Sequence, residues 1–270
     1  KNSFFLIYMI GLDWKHELIQ LDNAQSQLQF FTTPHQGLFT VVYTQNKSIL
    51  TVLNREIQND QWIKDNVRSK ALQQLCDSFY DTDLANMVFF HDNSGHLIMF
   101  LTLKEIKEDI PHFSLIECKS SNYGKSWQKP LDITSDFQSW KVTHHPIILR
   151  TGIQLGSILI PLYDTLSQRA LILHQDQAEK KWNFSLYIEP CSDSEKNLLH
   201  LERTKTLSPA IFETSKGSII CVYRIEPQEE ICFAVSKDRG YTWKPQKRIN
   251  SALSGSHDIY IQKLFQSSTK

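Results

Sequence analysis

The chain has 270 residues, with 29 basic and 29 acidic side chains and a pI near 7.3, so its charges balance. Hydrophobic residues make up 41% and charged residues 21%, which is ordinary for a globular protein that buries a sizeable core. The balance excludes the basic footprint of a nucleic-acid-binding protein and a polybasic membrane patch, so we expect no nucleic-acid partner. Composition leaves the oligomeric state open.

The chain begins with an apolar run, NSFFLIYMIGL at 2–12, followed by the charged DWKHE. The run is too short to span a bilayer. We expect it to form a first strand buried in the core. The alternative is the remnant of a signal peptide or anchor, which would favour a secreted or periplasmic protein.

Further along, DNVRSKALQQLCDSFY at 65–80 predicts one short helix, and the rest of the chain reads as strands. Three strongly apolar hairpins follow, each with a glycine-bearing turn. They are MVFFHDNSGHLIMFL at 87–101, PIILRTGIQLGSILIPLY at 146–163 and PAIFETSKGSIICVY at 209–223. A third strand comes after each hairpin: HFSLIECKS, RALILHQ and EICFAVS.

Two of these third strands end in similar turns, SSNYGKSW at 120–127 and SKDRGYTW at 236–243, and QDQAEKKW at 175–182 is a fainter copy. In such a turn Asp or Asn caps backbone amides, Gly supplies a positive φ, and Trp covers the hairpin end with its N–H partnered. Trp62, Trp127, Trp182 and Trp243 are separated by 65, 55 and 61 residues. The period predicts four-stranded antiparallel blades and hence an all-β fold, a β-propeller.

The turn SKDRGYTW is similar to the Asp-box of sialidases and other BNR-repeat proteins, and SSNYGKSW resembles a degenerate copy in which Asn122 replaces the aspartate. Over about 85–262 the hairpins follow the order of that family's blades. The resemblance implies a single sialidase-like domain over 1–270, of the six-bladed type, with the Asp-box as a structural corner far from the active face. At about sixty residues a unit the chain supplies four to five blades, so we expect either a fragment or a borrowed or absent closing blade.

The resemblance also implies an activity, the removal of terminal sialic acid or a similar acidic sugar from a glycan. The sugar carboxylate would be held by three arginines. A tyrosine nucleophile activated by a nearby glutamate would attack, and an aspartate would serve as acid and base. The alternative is a non-catalytic BNR-repeat propeller that binds glycan or protein.

Four candidate site residues are carried over by matching segments: Arg224 as the carboxylate clamp, Tyr163 and Asp164 lining the pocket, and Asp258 after the last Asp-box. Three of them have a structural alternative. Arg224 could pair with Glu226 or Glu229 on the surface, Tyr163 could be core, and Asp258 could cap a turn.

Two positions depart from the family pattern. Thr143-His144-His145 stands where the family carries an arginine, and Ser208 stands where many relatives place a polar or acidic residue before proline. Outside the tryptophan repeat, Trp14 and Trp140 are free to contact sugar.

No metal or cofactor is expected, because HExxH, GxSxG, Walker and dinucleotide motifs are all absent from the sequence. The cysteines are odd in number and include no CxxC pair, which argues against a disulfide framework and a zinc site. They are Cys76, Cys118, Cys191, Cys221 and Cys232. Cys221 and Cys232 fall in neighbouring predicted strands, and we expect two buried thiols rather than a disulfide there.

Overall fold

The computed structural model describes residues 2–10, 13–21, 26–33, 37–44, 46–47, 50–56, 61–133, 139–152, 154–175, 181–190, 205–226 and 230–248. The chain divides into two compact units, Lys1–Leu84 and Ala85–Lys270, and each is described by itself. Asp258 and Cys191 lie outside the described residues. In the part of the chain that the structure describes, no helix combines the length and the apolarity needed to cross a membrane.

The first unit contains a two-stranded antiparallel sheet and a four-stranded one. Its strands are β1 (Asn2–Ile10), β2 (Asp13–Leu21), β3 (Ser26–Thr33), β4 (Gly37–Thr44), β5 (Leu50–Glu56) and β6 (Gln61–Lys64). The predicted helix is present as α1 (Asn66–Asp77) and begins at Asp65, whose carboxylate accepts a hydrogen bond from the amide of Arg68 at 2.9 Å. The predicted first strand is present as β1, while its burial in the core stays a prediction.

Three antiparallel sheets follow, each with its main strands in chain order. The first sheet has β7 (Asp83–His91), β8 (Leu97–Lys107), β9 (Ile110–Ser120) and β10 (Leu131–Asp132). The middle sheet has β11 (Trp140–Val142), β12 (Ile147–Ile148), β13 (Ile158–Asp164), β14 (Arg169–Gln175) and β15 (Trp182–Phe184). The third sheet has β16 (Lys205–Glu213), β17 (Ile219–Glu226), β18 (Glu230–Ser236) and β19 (Lys244–Arg248). The all-β class and the three predicted hairpins are therefore confirmed.

The middle sheet lies between the other two because its strands are apolar on both faces. Successive side chains of a strand point to opposite faces. Ile160 and Leu162 join a buried cluster with the first sheet. Leu159 and Ile172 join a second cluster with Tyr223 and other residues of the third sheet. The three sheets therefore pack face to face in succession, as the blades of a propeller do. Closure of the sheets into a ring remains a prediction.

The two corner turns are built by the same hydrogen bonds. In the second, the Ser236 hydroxyl donates to Asp238 at 2.7 Å and accepts from the Gly240 amide at 2.6 Å, and Asp238 accepts from the Thr242 amide at 2.9 Å. In the first, Ser120, Asn122, Gly124 and Ser126 make the corresponding bonds at 2.9, 2.8 and 2.9 Å. Asn122 therefore replaces an aspartate without loss of the turn.

The expectation that the corner tryptophans give their N–H a partner is wrong. The Nε1 atoms of Trp127 and Trp243 are buried, and neither has a hydrogen-bond partner within the described ranges. The reason is their apolar surroundings. Trp243 belongs to the cluster between the middle and third sheets, and Trp127 packs against Phe89 with ring centroids 6.4 Å apart.

The described cysteines are buried free thiols, as expected for Cys221 and Cys232. The register places Cys221 opposite Ala234 and Cys232 opposite Tyr223, so the two thiols are not directly paired across the strands. Burial raises the pKa of Cys221 and, in the first unit, raises the pKa of Cys76 to about 12. Both thiols are therefore unreactive at neutral pH.

Candidate functional site

The strands of the second unit run between two distinct ends. At one end, the corner turn of the third sheet meets the middle sheet, where the carbonyl of Gly240 lies 3.1 Å from Nε2 of His174. At the other end, β13 stops at Asp164 and β17 stops at Glu226, while the amide of Ala170 bonds to the hydroxyl of Thr206 at 2.7 Å. The predicted site residues Tyr163, Asp164 and Arg224 all lie at the end away from the corners.

Four side chains there form what we call the strand-end cluster: Tyr163, Lys205, Arg224 and Glu226. Nη2 of Arg224 lies 3.1 Å from Oε1 of Glu226, and Nζ of Lys205 lies 3.9 Å from Oε2 of the same carboxylate. Arg224 and Glu226 are two residues apart on β17 and so share a face. All three charged side chains are partly exposed, so the cluster is open to solvent.

Tyr163 is coupled electrostatically to this cluster. Its pKa is raised above the ordinary value, first by burial and then by the negative charges of Glu226 and Asp164. The phenol is therefore protonated at neutral pH, and Glu226 is close enough to sense its charge. Lys141 is the strand partner of Tyr163 on β11, which places a further basic residue beside the tyrosine.

Asp164 has a different environment, although it is next to Tyr163 in the chain. Its carboxylate is buried and accepts hydrogen bonds from the Tyr187 hydroxyl at 2.7 Å, the Ser167 hydroxyl at 2.7 Å and the Leu166 amide at 3.0 Å. Burial alone would raise its pKa, but these hydrogen bonds and one from Ser139 outweigh burial and lower the pKa. Asp164 is therefore ionised at neutral pH and holds no proton to donate.

The structure pairs Arg224 with Glu226 on β17, and the charge of Glu226 acts on Tyr163 of β13. Asp164 lies next to Tyr163 on the opposite face of β13. Asp258 lies outside the described residues. The sequence predicts for Glu226 only the role of a surface partner of Arg224. The spacing Arg-x-Glu on a predicted strand is the signal that could have found it, because residues i and i+2 share a face.

The segment that departs from the family pattern links neighbouring sheets. The Thr143 hydroxyl donates to the carbonyl of Pro209 in β16 at 2.9 Å, and Nδ1 of His145 lies 2.9 Å from the carbonyl of Phe89 in β7. Ser208 has a φ of 50° at a bulge in β16. These residues position the first strands of the three sheets relative to one another.

The described residues contain no group of three or more His, Cys, Asp or Glu side chains that could hold a metal ion. The strand-end cluster supplies a phenol, a carboxylate and two cations, and its cations can bind an anion.

A match to a BNR repeat-like domain and the likeness to solved sialidases and an arabinanase indicate a glycoside hydrolase-like fold. The chain belongs to the BNR repeat-like domain family, whose model matches residues 49–257. The resemblance to sialidase-like BNR-repeat proteins that the corner turns indicate is thereby confirmed. No curated protein matches the chain by sequence.

Solved structures with the same fold include a protein of unknown function from Dyadobacter fermentans, at 14% identity and a TM-score of 0.55, with 82% of this chain and 69% of that chain covered. The NanB sialidase from Streptococcus pneumoniae has 10% identity and a TM-score of 0.54, with coverages of 86% and 53%. An α-L-arabinanase from Penicillium chrysogenum has 12% identity and a TM-score of 0.52, with coverages of 83% and 67%. The chain therefore spans about half the length of this sialidase.

Proposed function

We propose that this protein is a sialidase-like glycoside hydrolase that removes terminal sialic acid or a similar acidic sugar from glycans. We place its site at the strand-end cluster, on a propeller of which the described sheets of the second unit are blades. The observation that carries the proposal is the position of Tyr163, whose pKa is raised by burial and by Glu226, at the end of the sheets away from the corner turns. The family resemblance implies a tyrosine and glutamate pair of this kind.

In the proposed reaction, the Oη atom of Tyr163 forms a bond to the anomeric carbon, and the bond from that carbon to the leaving oxygen breaks. Glu226 accepts the phenol proton as the new bond forms. In the second step the oxygen of a water molecule bonds to the anomeric carbon and the bond to Oη breaks. Glu226 returns its proton to the phenolate, and the proton released by the water restores the acid that protonated the leaving oxygen. The raised pKa keeps the phenol protonated at rest, so the base is needed at the moment of attack.

Arg224 is the proposed clamp for the sugar carboxylate, because a guanidinium matches the two carboxylate oxygens. Its present partner Glu226 is partly exposed, so the sugar can compete for it. Lys205 adds positive charge on the other side of Glu226. The leaving oxygen needs a proton that ionised Asp164 cannot supply, so Asp258 is the proposed acid, and Asp164 supports the pocket wall.

The test is turnover of a fluorogenic sialoside by the full chain and by three variants. We expect the parent protein to release the fluorophore. The rate of release should fall at least about a hundredfold in Tyr163→Phe and in Arg224→Ala, which is the size of effect seen when a catalytic or substrate-binding side chain is removed. Arg150→Ala is the matched control, because Arg150 is an exposed arginine beside the corner turns. Equal turnover by Arg224→Ala and Arg150→Ala would remove Arg224 from the proposed site.

A second candidate function is glycan binding without hydrolysis. Two observations favour it: among the described residues the strand-end cluster holds one arginine where the family resemblance implies three, and the pKa of Asp164 is lowered rather than raised. Absence of turnover, together with binding of a sialoside that Arg224→Ala weakens, would select this candidate over the hydrolase.

A further inference from the structure

Beside Asp164, the face of the middle sheet that is turned toward the first sheet carries a set of side chains that the proposed chemistry does not use. Phe184 and Tyr187 are each 37% exposed. Arg169 and Glu189 form an ion pair there, with Nη1 and Oε1 3.1 Å apart. We call Phe184, Tyr187, Arg169 and Glu189 the aromatic shelf.

The register shows that the shelf lies on one face of the sheet. Asp164 is the strand partner of both Trp140 and Arg169, and directly opposed residues of antiparallel strands project from the same face. Trp140 lies in the buried cluster with the first sheet, which identifies the face. The hydroxyl of Tyr187 reaches Asp164 at 2.7 Å, and Glu189 reaches Arg169.

The prediction that Trp140 is free to contact sugar is wrong, because an aromatic residue of the shelf covers it. Trp140 is only 7% exposed, and the ring of Phe184 lies over it with centroids 4.0 Å apart. Trp140 therefore forms the floor of the shelf, and Phe184 and Tyr187 supply the accessible faces. The side chain of Trp14 is outside the described part of the chain.

Tyr187 is held rigidly in this position. Its hydroxyl donates to the buried Asp164 carboxylate, which three further hydrogen bonds fix in turn. The amide of Leu186 donates to the carbonyl of Tyr241 at 3.0 Å, and the amide of Ile188 donates to the carbonyl of Ala170 at 2.8 Å. A ring fixed through its hydroxyl and through both flanking residues loses little entropy when a ligand packs against it.

We infer that the aromatic shelf binds a neutral hexopyranose. The apolar C–H face of such a sugar packs on a tyrosine or phenylalanine ring, and its hydroxyls need both donors and acceptors. The Arg169 and Glu189 pair supplies both within 3.1 Å of each other. The pair has no net charge, so it favours a neutral sugar over a carboxylate.

The inference rests on the proposed function in one respect, since it makes this hexose the neighbour of the acidic sugar in the same glycan. Tyr163 and Asp164 are adjacent in β13 and face opposite sides of it, so the strand-end cluster and the shelf flank the same strand end. Binding of the neutral sugar itself requires neither Tyr163 nor turnover.

The experiment is saturation-transfer NMR and calorimetry of the full chain with lactose as the probe. We expect millimolar binding by the parent protein, weakened at least about tenfold by Tyr187→Ala, the size typical of losing one rigid aromatic contact. Tyr187→Phe keeps the ring and loses only the anchoring hydroxyl, so its affinity for lactose should lie between those of the parent protein and Tyr187→Ala. Tyr80→Ala is the matched control, because Tyr80 is an 83% exposed tyrosine in the first unit.

Several outcomes would overturn the inference: no binding of lactose by the parent protein, equal loss in Tyr187→Ala and Tyr80→Ala, or retention of full affinity when Tyr187→Ala and Phe184→Ala are combined. Thermal melting of each variant separates loss of the site from loss of the fold. Tyr163→Phe separates the two proposals, because it should abolish sialoside turnover while leaving lactose affinity within about twofold. Failure of turnover in the parent protein with lactose binding intact would reject the hydrolase and keep the shelf.

Discussion

The imidazole of His174 lies under the corner turn of the neighbouring sheet, where its Nε2 donates a hydrogen bond to the carbonyl of Gly240 at 3.1 Å. The ring is buried and stacks on Tyr241 with centroids 4.3 Å apart. This contact joins the middle sheet to the third sheet and requires a proton on Nε2, while burial of the ring favours the neutral imidazole.

Burial of His174 predicts that the protein loses stability in mild acid. Desolvation lowers the pKa of His174 from 6.5 to about 4, although the Gly240 carbonyl and Asp238 oppose the shift. Below pH 6.5 the unfolded chain binds a proton that the folded chain does not. The contribution of neutral, buried His174 to the free energy of unfolding is therefore complete above pH 6.5. It falls by up to about 3 kcal/mol as the pH drops toward 4.

Urea unfolding of the parent protein and of His174→Gln between pH 5 and 7 checks this expectation. The variant should be less stable at pH 7 but should show a flatter dependence on pH. Carboxylates with lowered pKa, such as Asp92 and Asp238, lose their contribution only at lower pH and do not interfere in this range. An unchanged slope in His174→Gln would contradict the assignment.

The equivalence of Asn122 and Asp238 predicts that the second corner tolerates asparagine. Asp238→Asn keeps the oxygen that accepts from Ser236 and from the Thr242 amide, so its free energy of unfolding should change by less than about 1 kcal/mol. Asp238→Ala removes these bonds and the one from the Thr242 hydroxyl, and it should cost about 1–2 kcal/mol. Denaturant titration compares them, and equal losses in the two variants would show that the charge matters rather than the turn geometry.

We expect alanine to destabilise the protein much more at Gly240 than at Gly95, although both glycines have a similar φ. It has a φ of +91°, and a Cβ there would lie 3.1 Å from both His174 and Leu159. Gly95 has a φ of +79° with nothing within 4 Å of the same position. Gly95→Ala should cost about 1 kcal/mol from backbone strain alone, and Gly240→Ala should cost about 1–3 kcal/mol more from crowding. Similar losses in both variants would mean that the sheets separate easily at this contact.

The features that were predictable from the sequence are local. Apolar runs around glycine turns predicted the hairpins β7 with β8, β12 with β13, and β16 with β17, because turn chemistry and strand pattern act within about twenty residues. The helix after Asp65 was predictable for the same reason. The division of the first strand of the middle sheet into β11 and β12 was not predictable from the sequence, because it depends on contacts of Thr143 and His145 with neighbouring sheets.

The candidate site was only partly predictable because it is assembled by packing between sheets. Matched segments predict Arg224 and Tyr163, and the structure adds Glu226, whose effect on the pKa of Tyr163 crosses from the third sheet to the middle one. The bond from Tyr187 to Asp164 spans 23 residues and depends on how the outer strand of the middle sheet continues beyond Phe184. No pattern in a single segment encodes such a contact.

The coupling of Glu226 to Tyr163 predicts the effect of removing one charge. The Glu226 carboxylate contributes to the raised pKa of Tyr163, so Glu226→Gln should lower that pKa toward the ordinary value, while burial and Asp164 keep part of the shift. NMR titration of tyrosine labelled at Cζ measures it, with Tyr163→Phe assigning the signal. Glu105→Gln, at an exposed acid of β8 that pairs with Lys107, is the control and should leave the titration unchanged. An unchanged or higher pKa in Glu226→Gln would show that the carboxylate does not act on the phenol, and the proton transfer proposed between them would have no basis.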